Sequence, residues 1–178
     1  MCSSDLRLFL LRHAKSSWDD PGLDDHDRPL APRGRRASAL IAEHLRRARI
    51  GPVLVLCSSA RRTRETLERV MPALDPVKVR IERELYGASS EDLLQRLREV
   101  PDEVESVMMV GHQPAIQELA LHLAGEGSEL ERVRAKFPTA ALATLTFAGE
   151  WSELGHRSAE LIAYVKPKQL QGSAASED

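Results

Sequence analysis

Cysteine is scarce in this chain, and long apolar runs are missing. Only Cys2 and Cys57 occur in 178 residues. They are too few for a disulfide framework and wrongly placed for a thiolate metal site, so a reducing cytoplasm is the expected setting. No stretch approaches the ~18 apolar residues of a membrane span, and the opening Met-Cys-Ser-Ser-Asp lacks the basic segment and apolar stretch of a secretory leader. An excess of charge is missing too. With 25 Lys and Arg against 27 Asp and Glu, no whole-molecule field recruits nucleic acid or an acidic membrane, and any positive site must be local. Carboxylates and thiols do not cluster as Mg or Zn ligands would, so no metal or other cofactor is expected.

What is present is a chain with 42% hydrophobic content, enough for one well-cored α/β domain. That domain is expected over residues 1–170, with a disordered tail at 171–178. Residues 6–11 form an apolar run that stops at Arg12-His13, the pattern of a strand buried in a parallel sheet. The Asp-, Pro- and Gly-rich residues 16–33 read as a loop over the end of that strand. From Gly34, residues Ala37, Leu40, Ile41, His44, Leu45 and Ala48 recur at helical spacing, and His44 on their apolar side reads as a packed side chain. Residues 53–57 predict a second buried strand. It runs into a polar stretch, Ser58 to Thr66, where a helix should start with Ser58 or Ser59 as cap. Residues 77–81 alternate like a half-buried strand, and Ser89 with Asp92 forms a capping box ahead of Leu93, Leu94, Leu97 and Val100. A third buried strand, 107–110, ends at Gly111-His112-Gln113-Pro114, where Pro114 suits the first turn of a helix. Two further strands are expected at 141–147 and 159–165.

Three strand-to-helix junctions therefore carry Arg12-His13, Arg61-Arg62 and Gly111-His112. If their strands are parallel neighbours, all three pairs face one rim, where open α/β sheets bind ligands. Two imidazoles and at least two guanidiniums, without a metal-binding cluster, suit metal-free chemistry on a phosphoryl group: a neutral imidazole can attack while fixed positive charge holds the oxygens.

The same residues resemble a known family. Arg12-His13-Ala14-Lys15-Ser16-Ser17-Trp18 is similar to the Arg-His-Gly-x-Ser-x-Trp signature of the histidine phosphatase, or phosphoglycerate mutase-like, superfamily. Arg28 to Gly34 resembles its Leu-Thr-x-x-Gly helix entry, Ser58 to Thr66 its Ser-Pro-x-x-Arg-Ala-x-x-Thr segment, and Gly111-His112 its second histidine. The resemblance spans residues 6–147 in order. It implies a three-layer α/β/α fold with a mostly parallel central sheet. It also implies that His13 accepts the phosphoryl group, that Arg12 and Arg62 clamp it together with Ser16, and that His112 orients it. Arg62 is preferred to Arg61 because it stands four residues before Thr66, the family's spacing. Glu84 resembles the family's general acid, with Glu82 close by. Ala14 in place of the usual Gly is similar to the phosphohistidine phosphatase branch, and Asp19, where mutases often carry Asn, counts against a mutase. The short connection between Arg62 and His112 leaves no room for a large lid insertion, so the site should be open.

The implied activity is a phosphatase working through phospho-His13. Its expected partner is a phosphohistidine-carrying protein, or else a small phosphate ester, and a monomer is expected. Two rival classes compete with this reading. A cysteine phosphatase needs Cys-x5-Arg, but that spacing from Cys57 reaches Thr63, with Arg62 one residue early and Arg64 one late. A domain that binds phosphorylated partners without turnover would share the pocket and differ in failing to hydrolyse an aryl phosphate.

Overall fold

The computed structural model describes residues 5–174. Along the chain run β1 (Leu6–Arg12), α1 (Pro32–Arg47), β2 (Leu54–Ser58), α2 (Arg61–Val70), β3 (Lys78–Glu82), α3 (Ser90–Arg98) and β4 (Ser106–Gly111). After them come α4 (Ala115–Leu123), β5 (Ala124–Glu126), α5 (Leu130–Ala135), β6 (Leu142–Phe147), β7 (Ala159–Val165) and α6 (Pro167–Ala174). The strands form one sheet in the order β3-β2-β4-β1-β6-β7-β5. β1, β2, β3 and β4 are mutually parallel, and β6 runs antiparallel to β1 and β7.

Alternation along β1 explains the three layers. Leu8 and Leu10 point to one face and pack with Leu93, Leu94 and Leu97 of α3 and Ile116, Leu119 and Leu123 of α4. Phe9 and Leu11 point to the other, where Ile41 and Leu45 of α1 and Leu67 and Val70 of α2 close a second core. A strand covered on both faces needs apolar residues at every position, which is why the buried strands read as runs rather than alternations. Each such leucine stabilises by about 1.5–3 kcal/mol. The capping box at α3 forms as expected, with Ser89 Oγ accepting from Asp92 N–H and the Asp92 carboxylate accepting from Ser89 N–H.

Some elements differ from the sequence expectation. The N-cap of α2 is Ala60, with no side-chain cap, because Ser58 and Ser59 turn their hydroxyls to His112 and His26 instead, each at 2.8 Å. Residues 171–174, expected to begin a disordered tail, continue α6, whose Leu170 packs on the second core. Residues 175–178 of that tail lie outside the described residues. The short β5 and α5 carry no periodic signal of their own and lie outside the elements that the sequence predicts. No helix among the described residues is long and apolar enough to cross a membrane.

Candidate active site

The carboxyl ends of β1, β2 and β4 lie side by side, with Arg12 paired to Gly111 in register and Cys57 to Val110. The three polar junctions therefore meet at one rim. His13 and His112 stand with ring centroids 5.3 Å apart. Arg62 and His13 are each only 8% exposed.

His13 is held by its backbone and by one ring nitrogen. Its N–H donates to Gly111 O at 3.0 Å, and its carbonyl accepts from Ala140 N–H at 3.0 Å. Ala140 takes a left-handed φ of 62° to make that bond, a strained conformation for a side chain with a Cβ. His13 Nδ1 lies 2.7 Å from Ala14 O. A carbonyl only accepts, so Nδ1 carries the proton and the Nε2 lone pair is left free. Burial, followed by the nearby His112, Arg62 and Arg12, pushes the His13 pKa down to about 3, against the bond to Ala14. The imidazole is thus neutral at pH 7, as an attacking group must be. His112 is depressed to about 4, first by burial and then by Arg62.

Arg12 donates from Nη1 to Phe137 O at 2.9 Å. Its Nε, like His112 Nδ1, is buried without a hydrogen-bond partner among the described residues. Leaving such a group unpaired costs about 1–3 kcal/mol, and an anion with several acceptor oxygens would relieve both. Thr66 positions the loop after His13: its hydroxyl accepts from Ala14 N–H at 2.9 Å and donates to Arg62 O at 2.7 Å. Of the three arginines near the start of α2, Arg62 alone is buried. Arg61 is exposed beside Glu65, and Arg64 reaches back to Ser59 O.

Two expected site residues sit elsewhere. Glu84 is exposed on a short 3-10 turn (Arg83–Leu85) and makes no hydrogen bond to the cluster among the described residues. Glu82 is locked into a bidentate pair with Arg96 at 2.7 and 2.9 Å. The parallel pairing of β3 with β2 aims Glu82 at α3, and the turn that follows carries Glu84 outward to solvent. Ser16 is buried, but its hydroxyl accepts from Arg28 Nη2, so it braces the loop rather than pointing free into the pocket.

The carboxylate that does reach the cluster is Asp25, from the loop between β1 and α1, which crosses the strand ends as expected. Its Oδ2 accepts from Tyr86 O–H at 2.7 Å and Arg62 Nη2 at 3.0 Å, and its Oδ1 accepts from Arg28 Nη1 at 2.8 Å. Arg62 Nη1 also donates to Asp25 O at 2.7 Å. The Tyr86 hydroxyl, then Arg62 and Arg28, hold the Asp25 carboxyl down at about 2 against the opposing effect of burial. Tyr86 adds edge contacts to His26 and His112, at centroid distances of 4.8 and 5.7 Å. Asp25, His26, Arg28 and Tyr86 carry no sequence signal that marks them for this cluster. The loop has no periodicity, and only the tertiary fold brings Tyr86 across to it.

Comparison with known proteins agrees with this geometry. Residues 8–89 match the histidine phosphatase superfamily (branch 1). An uncharacterized protein of Mycobacterium tuberculosis (strain CDC 1551 / Oshkosh) is 38% identical over 162 residues, covering 89% of this chain and 100% of that protein. A crystal structure from Agrobacterium tumefaciens, provisionally assigned as the phosphohistidine phosphatase SixA, is 32% identical. It superposes with a TM-score of 0.80 over 93% of this chain and 100% of that one. The chain belongs to the histidine phosphatase superfamily. Phosphatase chemistry comes with that membership, and the fold is the superfamily's. A third relative, the protein histidine phosphatase SixA complexed with tungstate, is 26% identical with a TM-score of 0.76 over 93% of this chain and 99% of that one. Within this superfamily member, the α2-to-β4 connection is taken up by β3, α3 and short turns, and no lid is inserted there.

Proposed function

We propose that this protein is a metal-independent phosphatase that passes the phosphoryl group through His13, and that its substrates are phosphohistidine-carrying proteins. The reading rests on one observation: the carboxylate that reaches the cluster, Asp25, accepts from Tyr86 O–H at 2.7 Å and Arg62 Nη2 at 3.0 Å, contacts that favour its ionised form. An alkyl phosphate ester needs a protonated group to accompany its alkoxide as it leaves, and a carboxyl in that state cannot serve. Phosphohistidine has no such need. Free imidazole protonates near pH 6.5, so the substrate ring takes its proton from water and departs as a neutral imidazole.

In the first step the Nε2 lone pair of His13 forms the bond to phosphorus in line, and the substrate's P–N bond breaks with its electron pair going to the departing ring. In the second, a water oxygen bonds to phosphorus, the His13 P–N bond breaks, and inorganic phosphate leaves with the water proton passed to solvent. Arg12, Arg62 and His112 face the equatorial oxygens. Each preorganised donor of this kind contributes about 3–4 kcal/mol in the transition state, a factor of a hundred or more in rate. A bound dianion also reverses the field that depresses His112, which favours its protonated, doubly donating form. Ser16 and Glu84 have at most supporting parts, the first through Arg28. We place this activity in a reducing cytoplasm, on a monomer.

The test compares purified protein on a phosphohistidine-carrying protein, phosphoglycerate and simple sugar phosphates. The phosphoprotein should have the higher kcat/KM by at least about tenfold, equivalent to ~1.4 kcal/mol. Turnover should persist in excess chelator. Quenched turnover should trap phosphate in an acid-labile, base-stable bond that His13→Ala abolishes. A small ester hydrolysed faster than any phosphoprotein would move the substrate class to metabolites, and binding without hydrolysis of an aryl phosphate would remove the enzyme altogether.

A further inference from the structure

Beside the nucleophile loop lies an open-sided groove of about 530 Å³ whose charged lining is entirely cationic: Lys15, Arg33, Arg36, Lys136, Lys166 and Lys168. Six positive charges there contrast with a whole chain of net charge −2. None of the six has an ion-pair partner among the described residues. Such a concentration of unpaired cations creates a local field that the rest of the molecule does not cancel.

The groove is built on the same segments that hold the site. Lys15 follows His13 by two residues, and its carbonyl accepts from Ala31 N–H at 2.9 Å at the start of α1, the helix that carries Arg33 and Arg36. Lys136 directly precedes Phe137, whose carbonyl receives Arg12. Thr139, also in the lining, precedes Ala140, whose N–H bonds both the Arg12 and His13 carbonyls. The groove thus borders the chain segments that carry His13 and that bond Arg12.

The geometry points to the groove as the docking surface for an acidic segment of the phosphoprotein substrate, an inference that rests on the function proposed above. Its cations come from separate chain segments, at residues 15, 33–36, 136 and 166–168, and this arrangement matches carboxylates distributed along a polypeptide. No aromatic side chain lines it, so it lacks the stacking platforms by which single-stranded nucleic acid is held. Remote binding of this kind also supplies the positioning energy that a site without a lid cannot draw from enclosure.

Two charge-reversed proteins test this, Lys136→Glu/Lys168→Glu and Arg33→Glu/Arg36→Glu, all four positions being exposed. Each is assayed on a phosphohistidine protein and on p-nitrophenyl phosphate, and titrated with a fluorescent, unphosphorylated Glu/Asp-rich twelve-residue peptide. The expected result is a tenfold or greater fall in kcat/KM for the phosphoprotein, p-nitrophenyl phosphate turnover within twofold of the parent, and a tenfold weaker peptide Kd in both variants. The phosphoprotein rate of the parent, and not the aryl phosphate rate, should also fall steeply with salt. Phosphoprotein turnover insensitive to charge reversal would overturn the groove assignment while leaving the proposed function standing. If the parent hydrolyses only small esters, the proposed function fails, and the peptide titration then decides the groove alone: charge-sensitive binding sustains it and absent binding overturns it. Tighter charge-sensitive binding of inorganic tripolyphosphate or of a single-stranded oligonucleotide than of the peptide would also overturn it.

Discussion

His13 and His112 are imidazoles kept neutral by their surroundings, and this makes the active site a liability to the fold in acid. In the folded chain His13 stays unprotonated down to about pH 3 and His112 to about 4, whereas an unfolded histidine takes its proton near 6.5. Between those values the unfolded chain binds more protons, so stability is fully present above about pH 6.5 and falls as pH falls. The slope is up to about 1.4 kcal/mol per pH unit for each ring. The urea midpoint should therefore drop between pH 7 and pH 5, and drop less steeply in His13→Asn; identical slopes in the two proteins would mean that the ring is not desolvated as described. Asp25 acts in the same sense but only in stronger acid, where an unfolded aspartate takes its proton near 3.9. Held near 2 first by Tyr86, it is ionised from pH 7 to pH 5 and keeps the Arg62 guanidinium aligned until an oxyanion competes for it.

At the scale of single elements, the entry of α1 is the tightest constraint near the site. A Cβ on Gly34 would come within 2.1 Å of the Lys15 carbonyl oxygen, so this helix can lie against the loop after His13 only with glycine there. Gly34→Ala should cost about 1–3 kcal/mol, the usual range for overpacking. Because Lys15 adjoins Ala14 and His13, the variant should also lose activity out of proportion to its lowered Tm, as phosphatase assays well below Tm would reveal. The helix itself was legible in the sequence, as were β1, β2 and β4, because burial on one or two faces leaves a periodic or continuous apolar signature. The same signature exposed Arg12, His13 and His112, which break those runs abruptly, and the spacing to Thr66 picked Arg62 over Arg61. Asp25 and Tyr86 left no such trace. One lies in an aperiodic loop and the other beyond β3, and their meeting depends on the sheet order rather than on any local pattern. Glu84 misled for the related reason that likeness in sequence does not say which way a one-turn 3-10 segment will face. The serines before α2 looked like caps because their alternative partners, His26 and His112, are distant in sequence.

Over the whole molecule, β1 occupies the middle of the sheet, with Leu8 paired to Val107 on one side and to Leu145 on the other. Its two neighbours thus come from the later part of the chain. Translation delivers them in that order, at about 5–20 residues per second, so the strand that emerges first waits longest for its place. Until β4 arrives, an apolar run dominated by leucine has one or no edge to pair with, and until β6 arrives the carbonyls of Arg12 and His13 lack Ala140. A chain ended after residue 136 should therefore remain protease-sensitive and fail to bind tungstate, whereas one ended after residue 166 should resist protease and bind tungstate; equal protection of the two would show that β6 is dispensable. A nascent chain thus carries His13 well before the cradle around it can close. Phosphoryl transfer should await β6, the later of β1's two neighbours to be made.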